Sequence, residues 1–212
     1  MAGYRRILLV GFNLVFGFSL YGSGSVKFKK ISIEQGLPGV SVQSVAQDHN
    51  GLMWFGVEGS GLAMYDGRNF TLFSNDDNDS TSLSNNFINS IVIDNQNRVW
   101  LATLHGLNCF DRDKNHFRRF IHSPDVASSI GGNYLTSSML YSDGTVWVGS
   151  ENGVSIFCPQ KNAFLNLRFS SSASNVDRYG VQSLYCDADS QVWVGTTRFG
   201  LLCLTKSVVL DL

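Results

Sequence analysis

"NGLMWFGVEGSGL", residues 50–62, sets four glycines and a tryptophan into a run that otherwise reads as β-strand. Glycines beside a strand hold phosphates when they open a helix whose N-terminal N–H groups face the anion. Here a further apolar strand follows, "LAMYD" at 62–66. The stretch also recurs: "DHNGLMWFGVEGSGL", "DNQNRVWLATLHGL", "YSDGTVWVGSENGV" and "DADSQVWVGTTRFGL" begin at residues 48, 94, 141 and 187. Trp54, Trp100, Trp147 and Trp193 are therefore 46, 47 and 46 residues apart, and a Gly-apolar pair follows each, at Gly61, Gly106, Gly153 and Gly200. A period of this length marks a repeat architecture, and the glycines are turns within it.

Each period carries four short runs of β-branched and aromatic residues bounded by Gly, Asn, Asp and Ser, the pattern of antiparallel hairpins. The first runs are "VQSVAQD", "INSIVID", "LTSSMLY" and "VQSLYCD", and the second runs hold the tryptophans. The third are "LAMYD", "LNCFD", "VSIFC" and "LLCLT"; the fourth are "FTLF", "FRRF", "FLNL" and "VLDL". Asp66-Gly67 is a hairpin pair, and Asp48, Asp94 and Asp187 open the turns before the tryptophans, where a carboxylate accepts backbone N–H bonds. Four antiparallel strands per period of this length make one blade of a β-propeller. The fold class is all-β: four blades of four strands, with repeats over about 32–73, 79–120, 126–167 and 175–212. One tryptophan per blade on the second strand fills the wedge between neighbouring blades, a packing role preferred here over sugar stacking.

Lys+Arg 16 against Asp+Glu 17 leaves a net charge of −1, which gives no electrostatic ground for a nucleic-acid partner. Arg5 and Arg6, the apolar run 7–21 and the small residues Gly22-Ser23-Gly24-Ser25 read as a secretory signal peptide over 1–25, cleaved after Gly24 or Ser25. An uncleaved anchor is the alternative, and then the only membrane contact. The domain over 26–212 is on this reading exported to the periplasm. Cys109, Cys158, Cys186 and Cys203 show neither a CxxC pair nor histidines at metal spacing; their repeat positions favour buried thiols. In "VKFKKIS", Phe28 and Ile31 match the fourth-strand pattern of Phe70 and Phe73. That lone strand would close a last blade, so the chain reads as the front of a larger ring, a truncated product or fragment. A closed four-bladed ring, with residues 208–212 displaced, is the runner-up.

"ISIEQGLPGVSVQSVAQDHNGLMWFGVEGSGLAMYDG" and "STSLSNNFINSIVIDNQNRVWLATLHGLNCFD" resemble successive repeats of the two-component regulator propeller family, a likeness extending over about 26–204. The resemblance implies part of a seven-bladed ring, often one of two in tandem, exported and followed by a β-sandwich, a membrane helix and a histidine kinase or diguanylate cyclase. It implies a ligand-sensing segment of such a sensor, without the output elements, which are absent from these 212 residues. Its ligand would be a small molecule or oligosaccharide. The third repeat departs at Ser138, where Val45, Ile91 and Leu184 stand elsewhere, and at Tyr141 in place of Asp. The fourth has Thr205 where Asp66 and Asp111 stand.

No residue pattern marks a catalytic, cofactor or metal site. Asp76, Asp77 and Asp79 in "SNDDNDSTS" lack the glycine and bidentate glutamate of a calcium loop, since Ser82 and Ile88 fall there. His49, His105, His116 and His122 lie in or near separate turns without a nucleophile elbow. Glu58, His105, Glu151, Asn152 and Arg198 all sit in the turn after a tryptophan strand, and such turns align around one propeller rim. They are the candidate binding rim, an ordinary solvated turn being the alternative for each. A scaffold completed by self-association, or by further blades, is the second functional expectation; a propeller enzyme, supported by fold analogy alone, is the third.

Overall fold

The computed structural model describes residues 27–169 and 180–204. The signal peptide expected at 1–25, Thr205 and the run "VLDL" at 209–212 lie outside them. The chain divides between residues 30 and 31 into two units, and every strand belongs to the second.

The first sheet holds β1 (Val42–Gln47), β2 (Met53–Val57), β3 (Gly61–Tyr65) and β4 (Phe70–Phe73), in that spatial order. The second is β5 (Ile88–Ile93), β6 (Val99–Thr103), β7 (Gly106–Asp111) and β8 (His116–Phe120); the third is β9 (Leu135–Leu140), β10 (Val146–Ser150), β11 (Gly153–Cys158) and β12 (Ala163–Leu167). A fourth sheet comprises β13 (Val181–Cys186), β14 (Val192–Thr196) and β15 (Leu201–Leu204). All pairings are antiparallel between consecutive strands. The first strands β1, β5, β9 and β13 run side by side from sheet to sheet, which makes each sheet a blade with its first strand innermost. The blades are thus an all-β propeller arrangement.

Residues 27–32, the described part of "VKFKKIS", form no strand, contrary to the sequence expectation; Phe28 is 93% exposed. A strand is held by its neighbour's backbone bonds, and residues 27–32 pair with no strand among the described residues.

The core lies between blades. Trp54 packs against Phe110 of the next blade at 5.6 Å between ring centroids, and Trp100 against Phe157 of the third at 4.9 Å. Trp147 joins Val192 and Val194 of the fourth. These three indoles are fully buried, whereas Trp193, with no described blade beyond it, is half-buried. Each indole edge is tied down. Trp54, Trp100 and Trp193 donate Nε1–H to Asp48, Asp94 and Asp187, each at 2.8 Å. The other oxygen of each carboxylate accepts two backbone N–H bonds from its own turn. In the third blade Tyr141 replaces the aspartate, and Trp147 donates to Thr145 Oγ1 at 2.9 Å. The tyrosine hydroxyl instead donates to the Ser190 carbonyl of the next blade's turn, 3.0 Å away.

The thiols follow the same logic of cover. Cys109, between the second and third blades, is buried; Cys158 and Cys186 are half-buried. Cys203 is exposed, against the buried reading, because its face of the fourth blade has no described neighbour. All four are free.

Blades approach closely at the residue two after tryptophan. A Cβ on Gly149 would collide with the Val181 side chain of the next blade and with Ser137 Oγ, and one on Gly56 would meet Ser44 Oγ and the Ile88 carbonyl. Gly149→Val is therefore expected to lower stability by about 1–3 kcal/mol through overpacking. Urea unfolding checks this, and an unchanged midpoint would contradict the close approach.

Burial alone would raise the Asp48 carboxyl. Hydrogen bonds from Trp54, from Arg112 and from the backbone of Asn50 and Leu52 outweigh that and hold it below the ordinary value of 3.8. Its stabilising contribution is complete above the unfolded-state pKa of about 3.9 and is lost as pH falls through the lower folded-state value. Asp48→Asn should flatten the acid limb of stability between about pH 5 and pH 2. Parallel acid limbs in mutant and wild type would contradict the assignment.

Candidate functional site

In every first strand the pairing with the second strand slips by one residue near its start. The unpaired residues are Gln43, Asn89, Thr136 and Gln182, spaced 46, 47 and 46 like the tryptophans. A bulge re-aims the side chain it carries. Asn89 Nδ2 donates to the Leu135 carbonyl of the next blade at 2.7 Å, and Thr136 Oγ1 to the Val181 carbonyl at 2.5 Å. Gln43 and Gln182 are exposed. A polar position therefore recurs on the innermost strand at one end of the blades.

The turns after the tryptophan strands lie at that same end, because Val42 pairs with Val57 and Val181 with Thr196. All five residues expected on the rim are there, and two are joined to the bulges or lead-in loops through carboxylates. Gln43 Nε2 donates to Glu58 Oε2 at 3.1 Å, and the Tyr134 backbone N–H donates to Glu151 Oε2 at 3.1 Å. Asn152 Nδ2 donates to the Gly131 carbonyl at 2.9 Å. His105 and Arg198 are exposed, in the turns of the second and fourth blades. The structure thus brings Glu58 to Gln43 and sets Glu151 beside Asn152, while His105 and Arg198 remain on their separate turns.

Aromatic residues complete this end, and the sequence reading passed over them. Phe87 and Tyr134, 47 residues apart, immediately precede the first strands of their blades and are 41% and 51% exposed. Phe87 reaches toward Gly59 in the neighbouring turn. Phe199, beside Arg198, is 42% exposed. The period that reveals the tryptophans also carries Phe87, Tyr134 and the bulge series, so a search along each phase would have found them.

The loops leading into this end are fixed from beneath. Leu37, Leu83 and Ile130, each 17 residues before a tryptophan, are buried. Asn108, wholly buried, accepts from the Ser84 backbone N–H at 3.0 Å and donates to Ser84 Oγ at 2.6 Å. In the third blade Ser155 Oγ accepts from the Gly131 N–H at 2.9 Å.

The opposite end has a cleft of about 390 Å³ lined by Arg98, Arg112, Arg118, Asp111 and Asp113. Its arginines are engaged within the protein. Arg98 pairs with Asp94 at 2.5 Å and Arg112 with Asp48 at 2.6 Å, while Arg118 donates to Asn162. Burial pushes the Cys109 thiol at its base up to about 12, which leaves it protonated near neutrality. Among the described residues no group of three or more His, Cys, Asp or Glu side chains is arranged to hold a metal ion. Asp76 and Asp79 accept N–H bonds within their own loop, from Asn78 and Thr81.

Because their side chains project outward, His105→Ala and Tyr134→Ala are each expected to change folding stability by less than about 0.5 kcal/mol. Asn108→Ala orphans the Ser84 N–H and should cost about 1–3 kcal/mol. Denaturant titration of the three variants separates the rim from its support.

Residues 36–59 and 82–105 match the family model of the two component regulator propeller. Each matched segment runs from the lead-in through the bulge and the Asp–Trp pair to the following turn. The two segments thus resemble successive repeats of that family. The chain is 33% identical over 84 residues to histidine kinase P4 of Formosa agariphila, an alignment covering 39% of this chain and 6% of that protein. Its fold resembles the extracellular domain of a hybrid two-component system of Bacteroides thetaiotaomicron, with TM-score 0.64, 21% identity and coverage of 85% of this chain and 30% of that one. The extracellular domain of a one-component system of the same organism gives TM-score 0.61 at 18% identity, covering 80% and 22%. Virginiamycin B lyase of Staphylococcus aureus, an enzyme, gives TM-score 0.56 at 15% identity, covering 80% and 57%. These likenesses show the fold alone. The chain spans less than a third of the sensor domains it resembles.

Proposed function

We propose that this chain of two-component regulator propeller repeats is an exported recognition segment of a bacterial sensor, acting in the periplasm and binding a small polar ligand or oligosaccharide. The observation that carries the reading is the end of the blades where the bulges leave Gln43 and Gln182 exposed and where Phe87 and Tyr134 are also exposed. The exposed amides of Gln43 and Gln182 offer donors and acceptors to a polyhydroxylated molecule, while aromatic rings offer apolar faces. Such a pairing of a few convergent polar groups with aromatic walls is the usual chemistry of a ligand site.

Export is supported by the leader-like residues 1–25 and by the extracellular origin of the sensor domains the chain resembles. On this reading the chain contributes recognition, and the kinase or cyclase output belongs to sequence other than these 212 residues. A lyase-type reading rests on fold likeness only.

A panel of immobilised glycans and polar metabolites, probed with the purified chain, tests the proposal. Binding to at least one class is expected, with a loss of about tenfold or more in the Phe87→Ala, Tyr134→Ala double variant, which should remain folded. Undiminished binding by that variant would move the site elsewhere.

A further inference from the structure

The cleft at the end opposite the bulges lies on the second blade and is flanked by described blades on both sides. Of its lining residues, Arg112 reaches Asp48 of the first blade and Arg118 donates to Asn162 of the third. A groove of about 380 Å³ recurs on the third blade, where Asp143, Thr145, Cys158 and Gln160 stand 47 residues after Gln96, Arg98, Asp111 and Asp113. The groove is therefore built by the blade itself, between the turn before the tryptophan strand and the hairpin joining the third and fourth strands. What the second blade adds is its lining. Three guanidiniums stand where the third blade has Thr145, Pro159 and Leu165.

Each guanidinium is held by one edge and leaves another free. Arg98 gives Nε–H to Asp94 at 2.5 Å, with Cζ 5.2 Å from the Trp100 ring centroid. Arg112 gives Nε–H to the Asn97 carbonyl at 3.3 Å and Nη2 to Asp48 at 2.6 Å. Arg118 donates through Nη2 and lies 4.6 Å from the Phe120 ring centroid. Among the described residues, both Nη groups of Arg98, Nη1 of Arg112, and Nε and Nη1 of Arg118 have no hydrogen-bond partner. Arg98 and Arg118 approach one spot: Trp100, Cys109 and Arg118 form a cross-strand row, and both charges act on the Cys109 thiol. Asp94 and Asp48 offset the charges of Arg98 and Arg112, so Arg118 is the guanidinium left without a carboxylate partner among the described residues. Two carboxylates also line the cleft. Asp111 is taken up by Lys114 at 3.4 Å, while Asp113 is exposed and in no ion pair among the described residues.

We propose that this cleft binds a small oxyanion, the carboxylate or phosphate group of a soluble molecule, at a site separate from the bulged end. The guanidinium fork matches both groups in geometry and holds them through charge-assisted hydrogen bonds. Arg98 supplies donors whose place is fixed by Asp94 and the Trp100 ring, and Arg118 supplies the uncompensated charge. Asp113 faces the anion with like charge and limits its affinity. The volume of about 390 Å³ lies within the range of about 300–1,000 Å³ usual for small-molecule sites.

Titration of the purified chain with sodium phosphate and, separately, with sodium acetate at constant ionic strength tests this, read on the indole N–H resonances of the tryptophans. Arg98 and Arg112 lie over Trp100 and Trp54, so those two indoles are expected to shift saturably with at least one salt. Trp147, bonded to Thr145, should stay still. A response to one salt alone identifies the group that the cleft takes. Arg118→Gln should weaken binding by about tenfold, and Asp113→Asn should tighten it by about twofold. Both side chains are exposed, so both variants should fold and keep the test decisive. No shift with either salt, shifts that rise without saturating or appear equally at Trp147, or binding indifferent to both variants would each overturn the proposal.

Discussion

Everything in these blades is organised around one side chain held at two ends. The second-strand indole is pinned at its N–H by a carboxylate six residues earlier and pressed on its face against the following blade. The first contact closes the turn between the inner strands, because the same carboxylate also gathers that turn's backbone N–H groups. The second joins blade to blade. Local turn geometry and long-range packing therefore depend on the same residue, which explains why tryptophan recurs with so little drift in spacing.

Within that frame the rest of each blade divides its labour. Small residues after the tryptophan let the next first strand come close, as Gly149 does for Val181. Buried Leu37, Leu83 and Ile130 hold the lead-in loops, and the Asn108–Ser84 pair satisfies backbone that would otherwise be buried without partners. The bulges then aim Asn89 and Thr136 at the backbone of the next blade and leave Gln43 and Gln182 exposed at the same end.

The strands were legible in the sequence because a half-buried strand writes its alternation locally and the tryptophans fixed its phase. The turn role of Asp48, Asp94 and Asp187 was legible for the same reason. Cross-blade contacts were not. Nothing in the spacing says that Arg112 reaches Asp48 across 64 residues or that Tyr141 reaches the Ser190 carbonyl. The N-terminal "VKFKKIS" misled because its alternation resembles β4, while strand formation depends on a partner edge that the residues themselves do not encode. The rim turns were placed at one end by topology alone, but the bulges that give that end its polar character depend on register, which only the structure displays.

The third blade supplies an internal control for the central claim. Trp100 donates to a carboxylate, whereas Trp147 donates to the neutral hydroxyl of Thr145, and both indoles are buried between described blades. Unfolding free energies of Trp100→Phe and Trp147→Phe compare the two directly. A charge-assisted bond contributes about 1.5–3 kcal/mol and a neutral one about 0.5–1.5 kcal/mol, so Trp100→Phe should be the more destabilising by about 1–2 kcal/mol. Equal losses, or a larger loss at Trp147, would contradict the view that the carboxylate–indole bond is what fixes the blade.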